Sequence, residues 1–235
     1  MNYAVERKIR NMSIDIHKIP MGACQSYIIR GEGAVMIDSG TPKKKDAFIK
    51  GIESASINPE SINLLILTHG HWDHIGSARE IKELTGASIA MHKNDQKWLE
   101  KAQKPLPPGV TLWGKIFIRL LAPFMPFIHI PPVNVDIALG DEDFSLHDYG
   151  VPGKIVHTPG HSPGSVSVLL DTGDVFVGDS AMNAFPMRLS PGLPIFAENL
   201  QELKDSWQSL LNRGAKMVYP AHGKPFPAEI MQKCC

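Results

Sequence analysis

Thr68-His69-Gly70-His71-Trp72-Asp73-His74 is the stretch whose reading decides the rest of this chain. It sets three imidazoles and a carboxylate within six residues, directly after the wholly apolar run 64–67, which suits a strand buried on both faces. Imidazole and carboxylate are ligands for Zn²⁺ and related borderline ions. His69 and His71, two apart in an extended segment, project to the same side and can reach one ion. Asp73 and His74 fall where the chain turns into the next helix, so they point elsewhere and are placed for a second ion. The spacing predicts two metals. The competing reading of the run by itself is a solvated histidine-rich turn.

Upstream of this run, residues 14–19 alternate loosely, and 26–30 and 34–37 read as strands around the turn Gly31-Glu32-Gly33, a hairpin. Thr41 and Pro42 predict a helix N-cap followed by proline at the first helical position, with the helix running to about Ser54 and Phe48 and Ile52 on one face. Downstream, Ile75, Ala78, Ile81 and Leu84 recur at helical spacing until Gly86, and 88–91 predicts another strand, so the order is β-α-β.

Residues 105–132 break that rhythm with many prolines and an apolar run, 116–130, interrupted by Arg119, Pro123, Pro126 and His129. The run is too short and too broken to span a bilayer. It reads as a surface insertion packing its own apolar face, as a lid or pocket wall, or as a contact with a second copy or a membrane surface. Beyond it, 134–139, 144–146, 154–157, 165–170 and 174–177 are expected to build a second sheet. Leu200, Leu203, Trp207, Leu210 and Leu211 form one helical stripe ended by Gly214, a core face. Residues 216–219 are expected to be the last strand.

The chain has 235 residues, enough for one large domain over 1–235 with the insertion at about 105–132. Lys plus Arg and Asp plus Glu are both 24, so the formal charge is +0 and there is no electrostatic footprint for nucleic acid. Cys24 stands far from the adjacent Cys234 and Cys235, which is no disulfide framework. Residues 1–18 carry charges without a sustained apolar stretch, so no secretory signal is read and a cytoplasmic location is expected. The terminal cysteine pair does not fit the four-residue prenylation pattern.

Five motifs in order carry a family resemblance. The run 69–74 resembles the H-x-H-x-D-H signature of the metallo-β-lactamase superfamily. Ile37-Asp38-Ser39-Gly40 resembles its D-[ST]-G turn, and Thr158-Pro159-Gly160-His161 its T-P-G-H. Val177-Gly178-Asp179 is similar to its G-D, and Pro220-Ala221-His222-Gly223 to its P-[GA]-H-G. The resemblance implies an α/β fold, the αββα sandwich of two mixed β-sheets with outer helices. It assigns His69, His71 and His161 to a first metal, Asp73, His74 and His222 to a second, and Asp179 as the bridge. Two Zn²⁺ per chain are implied, with Fe or Mn as alternatives.

The resemblance implies the chemistry of a hydrolase in which a metal-bridging hydroxide attacks an ester, thioester or lactone carbonyl, with Asp73 orienting it and carrying its proton to the leaving group. Asp38 is the candidate acceptor for the outer N–H of a metal-bound imidazole. The other histidines, His17, His92, His129, His147 and His157, match no motif and read as structural or surface residues. The family's active site lies where the ligand loops converge, and the insertion connects two of them. It is therefore expected to wall the pocket of a small-molecule substrate with a hydrophobic part, through Trp113, Phe117, Phe124 and Phe127, with Asn183 as a donor to a substrate oxygen.

The alternatives are a persulfide dioxygenase-like enzyme with one iron, and β-lactam hydrolysis. The latter is disfavoured because Asp179 stands where the family's β-lactamases carry Cys or Ser. The family's acylhomoserine lactonases have Tyr where this chain has Met182, and the Gly-Cys-Gly-Arg stretch of hydroxyacylglutathione hydrolases is missing. Their C-terminal glutathione-holding domain is not expected either. A homodimer is one of the readings left open.

Overall fold

The computed structural model describes residues 14–233. The first 13 residues and Cys234 and Cys235 lie outside them, and with them most of the segment read for a signal and the terminal cysteine pair. Cys24 is a buried free thiol that donates to the Asp73 carbonyl.

Among the described residues, twelve strands form two six-stranded sheets. In the first, β1 (Asp15–Pro20), β2 (Gln25–Arg30) and β3 (Ala34–Ile37) pair antiparallel. Then β3, β4 (Ile62–Ile66), β5 (Ser88–His92) and β6 (Ile137–Leu139) pair parallel. In the second, β7 (Phe144–Ser145), β8 (Gly153–His157), β9 (Val166–Leu170) and β10 (Asp174–Phe176) pair antiparallel, β10 pairs parallel with β11 (Met217–Tyr219), and β12 (Phe226–Pro227) closes the edge.

Strand alternation sorts the apolar side chains into layers. Ile29, Val35, Ile37, Leu64 and Ile66 of the first sheet meet Ile155, Val166, Val168, Leu170 and Phe176 of the second, making the core between the sheets. On the first sheet's outer face, Ile28, Met36, Leu65 and Ile89 pack against Phe48 and Ile52 of α1 (Lys45–Ser54) and Ile81 of α3 (Ala78–Thr85), the helix that follows the single turn α2 (Trp72–Ile75). On the second sheet's outer face, Leu169, Val175 and Val218 pack against Leu203, Trp207 and Leu210. These three come from α6 (Leu200–Asn212), which follows α4 (Gln96–Glu100) and α5 (Leu112–Leu121) in the chain. The layers are helix, sheet, sheet, helix: the αββα sandwich.

Three expectations need correction. The strand foreseen at 134–139 for the second sheet is β6, at the edge of the first. Asp136 explains the placement, since its carboxylate accepts from Ile89 N–H at 2.7 Å and from Lys82 Nζ at 2.6 Å, pinning the returning chain beside β5. The helix expected from Thr41-Pro42 begins instead at Lys45: Thr41 N–H and its hydroxyl both bond the Met21 carbonyl, and Ser77 Oγ accepts the Lys44 N–H. The strand at 217–219 is followed by β12 and a last helical turn, α7 (Glu229–Gln232). Among the described residues no helix is long and apolar enough to cross a membrane.

Candidate metal centre

The site gathers at the edge where β3, β4 and β10 and the turns after β8 and β11 end. Asp38, immediately after β3, is buried and holds a left-handed backbone (φ 58°). Its carboxylate accepts from Thr68 N–H at 2.8 Å, from the Thr68 hydroxyl at 2.9 Å and from His74 Nδ1 at 2.9 Å. A carboxylate only accepts, so the neutral imidazole of His74, the form that binds a metal, carries its proton on Nδ1 and its lone pair on Nε2. Thr68, having given its proton to Asp38, accepts from His69 Nδ1 at 3.1 Å, and His69 likewise presents Nε2. One aspartate thereby fixes the tautomer of two candidate ligands.

Backbone carbonyls do the same for two more. His161 Nδ1 donates to Phe196 O and His222 Nδ1 to Ala23 O, each at 3.0 Å. His161 Nε2 then lies 3.0 Å from His71 Nδ1, and His222 Nε2 lies 3.3 Å from Asp73 Oδ2. Asp179 stands between the two halves: Oδ2 is 3.6 Å from His161 Nε2, while Oδ1 is 3.2 Å from both His74 Nε2 and His222 Nε2.

Ligand atoms of His69, His71 and His161 lie within 4.8 Å of one another, as do those of Asp73, His74 and His222, and those of His69, His74 and Asp179. All seven predicted ligands therefore converge. The donor set fits divalent ions on an independent ground: His69 Nε2, His74 Nε2 and Asp179 Oδ1 are buried without a hydrogen-bond partner, the 3.2 Å contacts of Asp179 Oδ1 with His74 Nε2 and His222 Nε2 lacking hydrogen-bond alignment. Buried polar atoms normally find a partner, and a cation supplies one for all three.

Electrostatics divide the centre. Burial holds His69, His71 and His161 below the ordinary imidazole range, with His71 brought down to about 3 by burial and by His161 beside it. Neutral imidazole is the form a metal requires. Burial pushes the other two histidines the same way, but carboxylates prevail. Asp179 and Asp38 hold His74 well up, and Asp179 and Asp73 raise His222 to about 10. Against the opposing effect of burial, these two histidines in turn hold Asp179 well below the usual carboxylate range.

Sequence motifs did not reveal what joins the two ligand loops. Asp95 is fully buried and accepts from Gly70 N–H at 3.0 Å, Ser162 Oγ at 2.6 Å and Gly164 N–H at 2.9 Å. Burial raises its carboxyl despite these bonds. An Asp ahead of a helix usually signals an N-cap, but here the side chain makes no cap and crosses to the loops bearing His69, His71 and His161. Trp98 stacks on the His71 ring at 5.7 Å, and Gly70 allows its approach, since a Cβ there would meet the indole at 2.5 Å. His92 and His157, read from the sequence as structural, stack on each other at 4.0 Å.

Above the ligands lies a cavity of about 360 Å³. Asp73, His71, His161, Asp179 and His222 face it from below. Residues 105–107, with Phe117, Ile118 and Leu121, line one side, and 184–187 with Phe196 another. Of the aromatic residues foreseen as its wall, Phe117 lines it. Trp113 braces that wall from outside, donating from Nε1 to the Pro186 carbonyl at 2.9 Å and packing edge-on against Phe117. Phe124 and Phe127 turn to solvent, because the chain beyond α5 tightens into a 3₁₀ helix over Ala122–Phe127 that buries Met125 instead. Asn183 does not line the cavity: its amide donates to the Lys224 carbonyl at 2.9 Å and accepts from Lys224 N–H at 2.7 Å, bracing the turn that carries His222. The segment 184–187 carried no motif, and nothing local marks it as a wall.

This fold and donor set define a class, and the family follows. The chain belongs to the metallo-β-lactamase superfamily, whose family model matches residues 19–222. Hydroxyacylglutathione hydrolase GloC of Haemophilus influenzae is 31% identical over 74% of this chain and 77% of that protein. Probable metallo-hydrolase YflN of Bacillus subtilis is 27% identical over 63% of this chain, and the match spans about half of that relative's length (55%). Among solved structures, the archaeal metallo-β-lactamase superfamily protein ST1585 from Sulfolobus tokodaii superposes with a TM-score of 0.65 at 23% identity, covering 94% of this chain and 84% of that one.

Proposed function

We propose that the chain is a metal-dependent hydrolase that holds two zinc ions and cleaves an ester, thioester or lactone with a hydrophobic part. The observation that carries this reading is the convergence of His69, His74 and Asp179 atoms, buried and without partners, beneath a cavity with apolar walls. Such ions, when bound, make water nucleophilic at neutral pH and polarise a carbonyl. The remaining work falls to the chain's own residues. Asp38 and Thr68 orient His69 and His74. Asp73 is the least buried of the seven ligands and faces the cavity, where its carboxylate can take a proton from the attacking water and return it to the leaving group. Phe117, Ile118, Leu121 and Met187 exclude water and receive the apolar part of the substrate. The similarity to a hydroxyacylglutathione hydrolase supports a thioester among the substrates.

The test is metal analysis of the purified protein with a hydrolysis panel of thioesters, lactones, phosphodiesters and β-lactams. Two zincs per chain with turnover of thioesters, esters or lactones is the expected result. One iron per chain with oxygen consumption would replace this reading by a persulfide dioxygenase-like one, and a preference for β-lactams would overturn the substrate class.

A further inference from the structure

Among the described residues, the exposed large hydrophobic side chains are confined to two segments, 112–127 and 185–189. Leu112 is 78% exposed, Leu120 61%, Phe127 82%, Phe185 82% and Leu189 88%. The two segments adjoin, joined by the bond from Trp113 to the Pro186 carbonyl and by the packing of Met187, Phe117 and Ile118 against the same cluster of Met182, Ile195 and Phe196. They are also the segments that wall the cavity. On α5, Leu112, Ile116 and Leu120 stand four apart and form one outward stripe, while Phe117, Ile118 and Leu121 face inward. A helix apolar on both sides is ordinarily buried; here its outer side is bare.

Charge says what covers it. The whole chain is balanced at +0, yet residues 101–135 contain Lys101, Lys104, Lys115 and Arg119 and no Asp or Glu, and 180–197 contains Arg188 and no acid. Lys115 and Arg119 are exposed and lie along one flank of the apolar stripe. A two-fold contact between copies of this chain would place this same patch on both sides of the interface. It would then bring cations against cations with no acid in the patch to pair them. Phosphate headgroups over acyl chains satisfy both features at once.

We propose that this face docks on an anionic lipid bilayer, with Leu112, Ile116, Leu120, Phe127, Phe185 and Leu189 seated in the headgroup boundary and Lys115 and Arg119 on lipid phosphates. The cavity mouth then opens at the membrane surface. An acyl-bearing substrate would enter it without crossing water, a consequence that rests on the hydrolase reading above; the docking itself does not.

The experiment is cosedimentation of the full metal-loaded chain with vesicles of phosphatidylcholine alone and of phosphatidylcholine containing phosphatidylglycerol, at low and high salt. No turnover is measured, so its result stands apart from that of the substrate panel. The expected result is binding to the phosphatidylglycerol vesicles that salt weakens. Lys115→Glu with Arg119→Glu, and separately Leu112→Ser with Leu120→Ser, should each weaken it at least about tenfold at unchanged metal content. Where a helix variant loses its fold, Leu189→Ser in the other segment carries the same expectation. No association with anionic vesicles, or association that neither pair of substitutions changes, overturns the proposal. A dimer in sedimentation velocity that Leu112→Ser with Leu120→Ser dissociates, without vesicle binding, assigns the face to a second copy and overturns it as well.

Discussion

Replacing Asp38 by Asn alters one atom, and the structure dictates where the change is felt. The new amide keeps its oxygen toward Thr68 N–H, 2.8 Å away, because the reverse orientation would set donor against donor. Its NH₂ then faces His74 Nδ1, which at 2.9 Å must become an acceptor. The proton moves to His74 Nε2, the nitrogen aimed at Asp179 Oδ1. To bind an ion, His74 must return to its former tautomer and bury two opposed donors. That costs about 1–3 kcal/mol, or roughly 10–100-fold in affinity, the usual range for such outer partners. The backbone contributes little, since Asn tolerates the left-handed conformation at this position (φ 58°). Competition with a chromophoric zinc chelator measures both ions, and the one held by Asp73, His74 and His222 should weaken more than the one held by His69, His71 and His161. Wild-type affinity for both ions in the Asn variant would refute the argument and leave Asp38 as a turn residue.

Asp179→Ala should cost the metal occupancy of both halves and reduce turnover by at least about 100-fold, because its two oxygens face different ligand groups; elemental analysis showing two ions per chain would refute it. For pH, His222 reaches about 10 in the folded metal-free protein against an ordinary value of 6.5. Its contribution to stability is therefore full below about pH 6.5 and is lost as pH rises through 10. Binding an ion expels that proton, so zinc affinity should rise with pH over this window and protons should appear in weakly buffered solution on loading; an affinity flat in pH would count against His222 as a ligand. Asp95→Asn must set an NH₂ against one of its buried donors, a penalty of about 1–3 kcal/mol. That corresponds to roughly 2–12 °C in Tm for a chain of this size, measured by thermal denaturation of the metal-free protein, and an unchanged Tm would deny the clamp. Phe117→Ala should raise KM for long-acyl substrates about tenfold and spare short ones; equal effects on both would remove Phe117 from the substrate wall.

The candidate ligands are legible because metal chemistry leaves a local trace. An H-x-H-x-D-H run places four candidate donors by strand and turn geometry alone, and each remaining candidate sits in a short motif at the end of a strand. Periodicity likewise gave the faces of α1, α3 and α6, where Phe48, Ile52, Ile81, Leu203, Trp207 and Leu210 are buried as the spacing requires. The partner of β6 was not legible. A three-residue apolar strand has the same appearance in either sheet, and what decides its place is the Asp136 carboxylate reaching Ile89, 47 residues away.

The same distinction separates the candidate ligands from what orients them. His74 is visible in the sequence, but its tautomer is set from 36 residues away by Asp38, and the loop of His161 is tied by Asp95 across 67 residues. No periodicity records such bonds, because they depend on β3, β4 and β5 lying side by side in parallel and ending at one edge. Residues 112–127 show the converse. Their composition announced apolar surface, yet composition is blind to direction, and the helix divides that surface between a cavity wall inside and a bare stripe outside. Sequence therefore yields the chemistry a segment contains, while the neighbouring chain decides which atoms of it are free to act.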